Sequence, residues 1–279
     1  MKRLLFILGP TAAGKTVQAI EWAKRFDTEI VSCDSRQFYQ EMDIGVARPS
    51  KAELAEVKHH FIACRSIEDS YNVYSYEQDA IKCIERLFEQ HDTVIAVGGS
   101  GLYIEAICNG IAWLPDPKPG LRESLKAQFE REGIESFQRQ LQQLDPSYYR
   151  QVDQQNPIRL QRALEVCLTS GRPYSELIAE QKRQKRPFQI ERIVVNHEPE
   201  VLRDRINQRV ELMLESGLEE EVRRLLPYRH LTPLNTVGYK EFFNAWDLGN
   251  NDTRAIAEAI KTHTWQYAKK QLTWLKSRV

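Results

Sequence analysis

Paired cysteines are missing from this sequence. Its five cysteines (Cys33, Cys64, Cys83, Cys108 and Cys167) are odd in number and scattered, with no C-x-x-C pair. That argues against a disulfide framework or a zinc ribbon and fits a reducing compartment. An excess of charge is missing too: Lys+Arg 39 against Asp+Glu 39 leaves a formal net charge of zero. A polyanionic partner must therefore be held by local basic patches, not by a global field. No apolar run approaches the ~20 residues of a membrane span. Met1-Lys2-Arg3 ahead of apolar residues has the outline of a leader, but Gly9 follows after five of them and no small-residue cleavage site is seen. The run reads instead as a first strand. Repeats and low-complexity tracts are absent as well. The expectation is a soluble, cytoplasmic monomer with no membrane association.

What is present begins at that strand. Leu4-Leu5-Phe6-Ile7-Leu8 leads into Gly9-Pro10-Thr11-Ala12-Ala13-Gly14-Lys15-Thr16, which fits G-x-x-x-x-G-K-[ST], and Val17, Ala19, Ile20 and Ala23 follow at helical spacing. Strand, glycine loop and helix N-terminus make a cradle for a diphosphate, because backbone N–H groups converge there and the helix dipole favours an anion. Lys15 is placed to reach the phosphates and Thr16 to offer its hydroxyl to Mg²⁺.

The first hundred residues alternate strands and helices: 29–33 and 93–97 read as strands, with a helix after Ser75-Tyr76-Glu77-Gln78 as a capping box. Near Trp113 the texture changes. Pro115, Pro117 and Pro119 punctuate it, and helices are expected around 121–130, 134–144 and 159–169, the last closed by Gly171. Residues 189–195 return to strand character. Pro199 opens a helix with Leu202, Ile206, Val210, Met213 and Leu214 on its apolar face, ending at Gly217, and a last helix runs over 253–276. The fold class is α/β: a P-loop parallel sheet flanked by helices, with an all-helical insertion. The divisions are 1–112 for the first part of the core, 113–188 for the insertion and 189–279 for the rest of the core.

A P-loop alone names no reaction. Asp34 ends a strand on the edge where α/β sheets place ligand-binding groups; it suits a metal ligand or a general base, and also a turn-capping Asp beside Ser35. The most apolar strand ends at Val97 in Gly98-Gly99-Ser100-Gly101 with no acid, so a Walker B carboxylate is not evident. His59-His60 has no partner at metal-ligand spacing. Arg205 and Arg209 share a helix face and suit a diphosphate. Arg159 and Arg162 repeat that pattern at i,i+3, Lys182–Arg186 is a basic run, and Trp265, Tyr267, Lys269, Lys270, Gln271, Trp274 and Lys276 interleave aromatics with cations. Such mixtures suit single-stranded RNA loops, though each patch alone also suits a solvated surface.

These motifs in their order resemble the bacterial tRNA dimethylallyltransferases, the isopentenyltransferases of tRNA. The P-loop, Asp34–Tyr39, Ile44–Pro49, Val97–Tyr103, Asn156–Val166, Arg205–Met213, Thr236–Glu241 and Tyr267–Trp274 carry the resemblance along nearly the whole chain. It implies transfer of a dimethylallyl group from dimethylallyl diphosphate to N6 of the adenosine just 3′ of the anticodon, at position 37 of tRNAs reading codons that begin with U. Mg²⁺ is the implied cofactor, and the anticodon stem-loop the partner. By the same resemblance Gly9, Pro10, Thr11, Ala12, Ala13, Gly14, Lys15 and Thr16, with Arg205 and Arg209, hold the diphosphate, while Asp34 is the general base. The tRNA side is expected to comprise Asp34, Ser35, Arg36, Gln37, Ser100, Arg122, Ile158, Arg159, Leu160, Gln161, Arg162, Gly238, Tyr239, Lys240, Lys269, Lys270, Gln271 and Trp274. The family usually has Lys-Arg-Gln at Lys269-Lys270-Gln271. Rival readings are a P-loop kinase of a small metabolite, an adenylate isopentenyltransferase of the plant type, and a non-enzymatic RNA-binding regulator that uses a nucleotide as a switch.

Overall fold

Apolar residues on both sides of a strand demand cover on both sides of the sheet, and the architecture follows from that need. The computed structural model describes residues 1–180 and 184–278. The chain runs β1 (Arg3–Leu8), α1 (Lys15–Arg25), β2 (Ile30–Ser32), α2 (Lys51–Glu56), β3 (His59–His60), α3 (Val73–Gln90), β4 (Thr93–Gly98) and α4 (Gly101–Asn109). Then come α5 (Leu121–Glu132), α6 (Ile134–Leu144), α7 (Pro146–Tyr149), α8 (Pro157–Ser170) and α9 (Tyr174–Ala179). It closes with β5 (Gln189–Val194), α10 (Pro199–Glu215), α11 (Leu218–Leu225), two short 3-10 turns, α12 (Lys240–Asp247) and α13 (Thr253–Lys276). Two compact units result, Met1–Asn109 with Lys185–Val279, and Gly110–Gln184.

In the first unit every strand pairing is parallel and the order is β3-β2-β4-β1-β5. Side chains alternate across the central strands. Leu4, Phe6, Leu8, Val94 and Ala96 meet α3 and α4 on one face, while Leu5, Ile7, Ile95 and Val97 meet Ala19, Ile20 and Ala23 of α1 on the other. Each fully buried Leu, Ile or Phe contributes about 1.5–3 kcal/mol, so β1 and β4 anchor the sheet and hold their C-terminal ends at one edge. A further core joins Val210 of α10, Leu218 and Val222 of α11, Phe242 of α12 and Ile256 and Ile260 of α13 to Phe38 and Met42. The second unit has its own core, in which Leu125, Phe137, Leu141, Leu160 and Leu164 are buried.

Two local expectations change, and the placement of His59-His60 is settled. The N-cap of α3 is Asn72, whose side chain accepts from the Ser75 N–H, so Ser75 lies inside the helix. The extra turn lets Tyr76 bury its ring and donate to the Ser32 carbonyl at 2.8 Å. The Pro199 helix stops at Glu215, because Gly217 (φ 95°) serves as N-cap of α11. His59 and His60 form the edge strand β3, with His60 Nε2 on Glu29 at 2.5 Å.

Candidate active site

The loop after β1 and the N-terminus of α1 stand at the C-terminal sheet edge, beside the ends of β2 and β4. Gly14 takes φ 88° as the N-cap of α1, a conformation that favours glycine. Lys15 folds back over the loop, its Nζ donating to the Pro10 carbonyl at 2.6 Å. Burial lowers its pKa to about 8; the negative charge of Asp34 partly opposes this and Arg209 adds to it. A lysine with so little solvent is poised to gain from an incoming anion.

Helix α10 supplies two further cations on the face read from the sequence. Arg205 Nε donates to the Ala12 carbonyl at 2.7 Å, and Arg209 Nη1 to Thr11 Oγ1 at 3.4 Å. Burial, then the neighbouring Arg205, lowers the Arg209 pKa below its ordinary value. Sequence reasoning missed His197, whose Nε2 lies 2.9 Å from the Ala13 carbonyl and braces the same loop.

Asp34, just beyond β2, lines the same cavity as these cations. Its Oδ1 accepts from the Arg36 and Gln37 N–H groups at 2.9 and 3.3 Å, which orients the carboxylate with a turn of its own chain. The turn-capping and functional readings of Asp34 are therefore compatible. Ser100 Oγ accepts from the Ser35 N–H at 3.0 Å and thereby ties the β4 loop to the Asp34 turn. Gln37 Nε2 donates to the Ala47 carbonyl at 2.9 Å, fixing the Ile44–Pro49 segment. That segment is held from behind by buried Glu221, which accepts from the Asp43, Ile44 and Gly45 N–H groups at 3.1, 2.9 and 3.0 Å and from the Tyr239 hydroxyl at 2.6 Å. Glu221 was also unseen, because it looks like one of three consecutive surface glutamates.

Together these pieces enclose a cavity of about 610 Å³ lined by Thr11, Lys15, Thr16, Asp34, Arg205 and Arg209 among others. Tyr267 of α13 completes the wall. Burial and then the Asp34 charge push its pKa up to about 12, so the phenol stays protonated at neutral pH. Among the described residues no group of three or more His, Cys, Asp or Glu stands together as a metal cage.

The expected tRNA-side residues divide by burial. Ser35, Arg36, Gln37, Gly238 and Lys240 line the cavity with Asp34. Lys269 and Lys270 are exposed on α13, and Ile158 and Arg159 are exposed at the start of α8. Other expected residues are placed differently. Leu160 and Tyr239 are fully buried and serve the two cores. Trp274 lies over Gly101, where an added Cβ would fall 2.7 Å from its ring, so the indole is not presented as an open stacking face. Trp265 carries the cations of Arg203 and Lys269 at 5.1 and 6.0 Å from its ring centroid. Arg122 makes two hydrogen bonds to Glu165, at 2.9 and 3.1 Å, and Gln161 and Arg162 point to the same carboxylate at 3.0 and 3.4 Å. These three side chains thus form an internal cluster as well as a basic edge. Of the basic run at 182–186, Lys182 and Arg183 lie outside the described residues, while Arg186 is buried on Glu77.

Comparison with known proteins identifies the family. A family model described as IPP transferase matches residues 37–278. The chain is 47% identical over 273 residues to a tRNA dimethylallyltransferase of Christiangramia forsetii, covering 98% of this chain and 90% of that one. It is 46% identical over 276 residues to the tRNA dimethylallyltransferase 2 of Azobacteroides pseudotrichonymphae, with 99% and 89% covered. Among solved structures, the full-length tRNA isopentenylpyrophosphate transferase of Bacillus halodurans superposes with TM-score 0.70 at 31% identity, over 100% of this chain and 88% of that one. A eukaryotic dimethylallyltransferase acting on tRNA gives TM-score 0.80 at 24% identity, over 99% and 70%, a likeness of fold.

Proposed function

We propose that this chain, which belongs to the IPP transferase family, transfers a dimethylallyl group to tRNA in the cavity beside its P-loop. The donor is dimethylallyl diphosphate and the acceptor is N6 of the adenosine 3′ of the anticodon, at position 37 of the tRNA. The observation that carries the assignment is that Lys15, Arg205, Arg209 and Asp34 line one cavity.

An allylic C–O bond breaks readily only when the charge gathering on the departing diphosphate is neutralised. Lys15, Arg209 and the N-terminus of α1 do this in a site with little water to compete. The C1–O bond breaks with its electron pair leaving on the diphosphate, and the N6–C1 bond forms. An adenine amine is a weak nucleophile, so a carboxylate placed to take the N6 proton speeds the step by ~10²–10⁴-fold. Asp34, oriented by the Arg36 and Gln37 amides, is that base. The adenine reaches the cavity only by leaving its stack in the anticodon loop, at a cost of a few kcal/mol.

Mg²⁺ fits the donor set: it retains waters and uses one or two protein ligands with phosphate oxygens, so no protein cage is needed. Thr16 lines the same cavity and would offer its hydroxyl to the ion, which would supply further neutralisation of the diphosphate. The segments around Arg122, Arg159 and Arg162, and Lys269 and Lys270 on α13, supply cations for the tRNA backbone.

Incubation with unmodified tRNA, Mg²⁺ and radiolabelled dimethylallyl diphosphate tests the proposal. Label in an anticodon-loop adenosine is expected, and Asp34→Asn should lower kcat by about 10²–10⁴-fold while both substrates still bind. Prenylated AMP, or phosphoryl transfer from ATP with no label in tRNA, would refute it in favour of a free-nucleotide acceptor or a kinase.

A further inference from the structure

Gln271 reaches into the site from α13 and is almost wholly buried there. Its Oε1 accepts from the Thr11 N–H at 2.8 Å, and its Nε2 donates to the Gly99 carbonyl at 2.8 Å. One amide thus spans the two loops at the ends of β1 and β4. The approach is tight: a Cβ on Gly99 would collide with Gln271 Nε2, so the glycine there makes room for the amide. Both ends of the Gln271 amide are engaged inside the protein, which is not how a residue reading a nucleic acid is placed. Its helical neighbours Lys269 and Lys270 are exposed.

We propose that Gln271 is a positioning residue for the diphosphate loop and not a tRNA contact. The proposal rests on the prenyl-transfer reading for the identity of the substrate, and on geometry alone for the role. Thr11 is the third residue of the P-loop, and it is held twice: its N–H by Gln271 and its hydroxyl by Arg209. These two bonds come from α13 and α10, so the loop is braced independently of the ligand. A braced loop has less freedom to lose when diphosphate binds, and its amides already face one way. An amide suits this post better than a charged group would. A carboxylate can accept from Thr11 but cannot donate to Gly99, and an ammonium cannot accept at all.

Gln271→Met keeps the side-chain length and removes both hydrogen bonds; Gln271→Glu keeps the acceptor and loses the donor. The full chain is compared with both variants in binding of inorganic diphosphate, in KM for each substrate, in tRNA retention on filters and in amide exchange at Thr11. For Gln271→Met, diphosphate affinity should fall about tenfold, as for two lost hydrogen bonds, with tRNA affinity kept within about twofold. Thr11 exchange should speed up while β1 and α1 keep their protection, a local change that separates loosened positioning from unfolding. The glutamate should retain Thr11 protection. Weakened tRNA binding with diphosphate affinity intact would overturn the proposal and return Gln271 to the tRNA side. Unchanged Thr11 exchange would overturn it as well, as would loss of protection throughout β1 and α1. Diphosphate binding and amide exchange need no catalysis, so a wild-type enzyme that failed to label tRNA would refute the prenyl-transfer reading without touching this one.

Discussion

Lys15 offers the sharpest test of how this site binds its donor, and pH is the perturbation. An ordinary lysine stays charged to about pH 10.4, whereas burial brings Lys15 to about 8. The sign follows directly. Below that value Lys15 is charged and attracts the diphosphate; above it, the free protein must first regain a proton in order to bind. Affinity should therefore fall about tenfold for each pH unit above 8, until the pKa of the diphosphate-bound lysine is reached. Other groups leave the window clear. A phosphate's second ionisation lies near 6, and Tyr267 and the buried Cys33 are each pushed up to about 12. Calorimetric titration of dimethylallyl diphosphate without tRNA, from about pH 7 to about pH 9.5, measures the slope. Lys15→Arg keeps its charge throughout and should give a flat profile, weaker or not. A wild-type affinity that stayed within twofold across this range would show that Lys15 has ordinary basicity or does not meet the phosphates.

Other expectations follow from single contacts. Arg209→Ala should raise KM for dimethylallyl diphosphate about 10- to 100-fold, the worth of one charge-assisted hydrogen bond, with tRNA binding unchanged; steady-state kinetics in each substrate reads this. Burial alone would raise the Glu165 carboxyl, but Arg122, Gln161 and Arg162 hold it below its ordinary 4.5. Its contribution to stability is thus present above 4.5 and lost as pH falls through the lower folded value. Glu165→Gln should cost roughly 1–2 kcal/mol at neutral pH, reduced because both arginines reach solvent, and urea melts from about pH 6 to about pH 3 should lose part of their acid-side slope. Leu160→Ala should destabilise the second unit by about 2–5 kcal/mol, measured by denaturant titration, if its role is core packing.

How much could be read in advance depended on whether the signal was local. Helices α6 and α13 begin and end where caps and apolar spacing put them, at Ile134–Leu144 and Thr253–Lys276. Strands β1 and β4 stood out because buried parallel strands are apolar on both faces. Two-residue β3 has no alternation to detect. Helix α2 is short and polar, although Ser50 and Glu53 do form its capping box. In the site, the P-loop is contiguous and so announced itself. The bond from Thr11 to Gln271 joins residues 260 apart in sequence, and nothing local marks it. The aromatic and basic helix was readable as a pattern, but burial decided which members face outward. Trp274 is partly buried against the core beside Gly101, while Lys269 and Lys270 face solvent.

Zero net charge gave no sign of an anion-binding protein, and the pairing of charges explains how both can hold. Several arginines are paired where they stand: Arg186 on Glu77, Arg65 on Asp79 and Arg229 on Asp247, while Arg122 and Arg162 share the single carboxylate of Glu165 and keep one net positive charge between them. The cavity cations are arranged otherwise. Lys15, Arg205 and Arg209 donate to neutral oxygens of Pro10, Ala12 and Thr11. A neutral oxygen holds a cation in place without cancelling its charge, so these three side chains keep theirs for a ligand, although Asp34 and Glu53 also line the cavity. This also gives a reason for the missing acid at the end of β4. A Walker B carboxylate there would help position a metal for attack at phosphorus, but here the attack falls on carbon and the diphosphate only departs. A carboxylate at the end of β4 would oppose the charge that develops on the leaving group, and Gly98 and Gly99 leave no room for one there: a Cβ on Gly98 would lie 2.5 Å from the Cys33 carbonyl. Asp34 and Glu53 line the cavity with the three cations, the charge of Asp34 acting on Lys15 and that of Glu53 on Arg209. On the prenyl-transfer reading proposed above, Asp34 is the base that meets the acceptor amine while the cations hold the departing diphosphate.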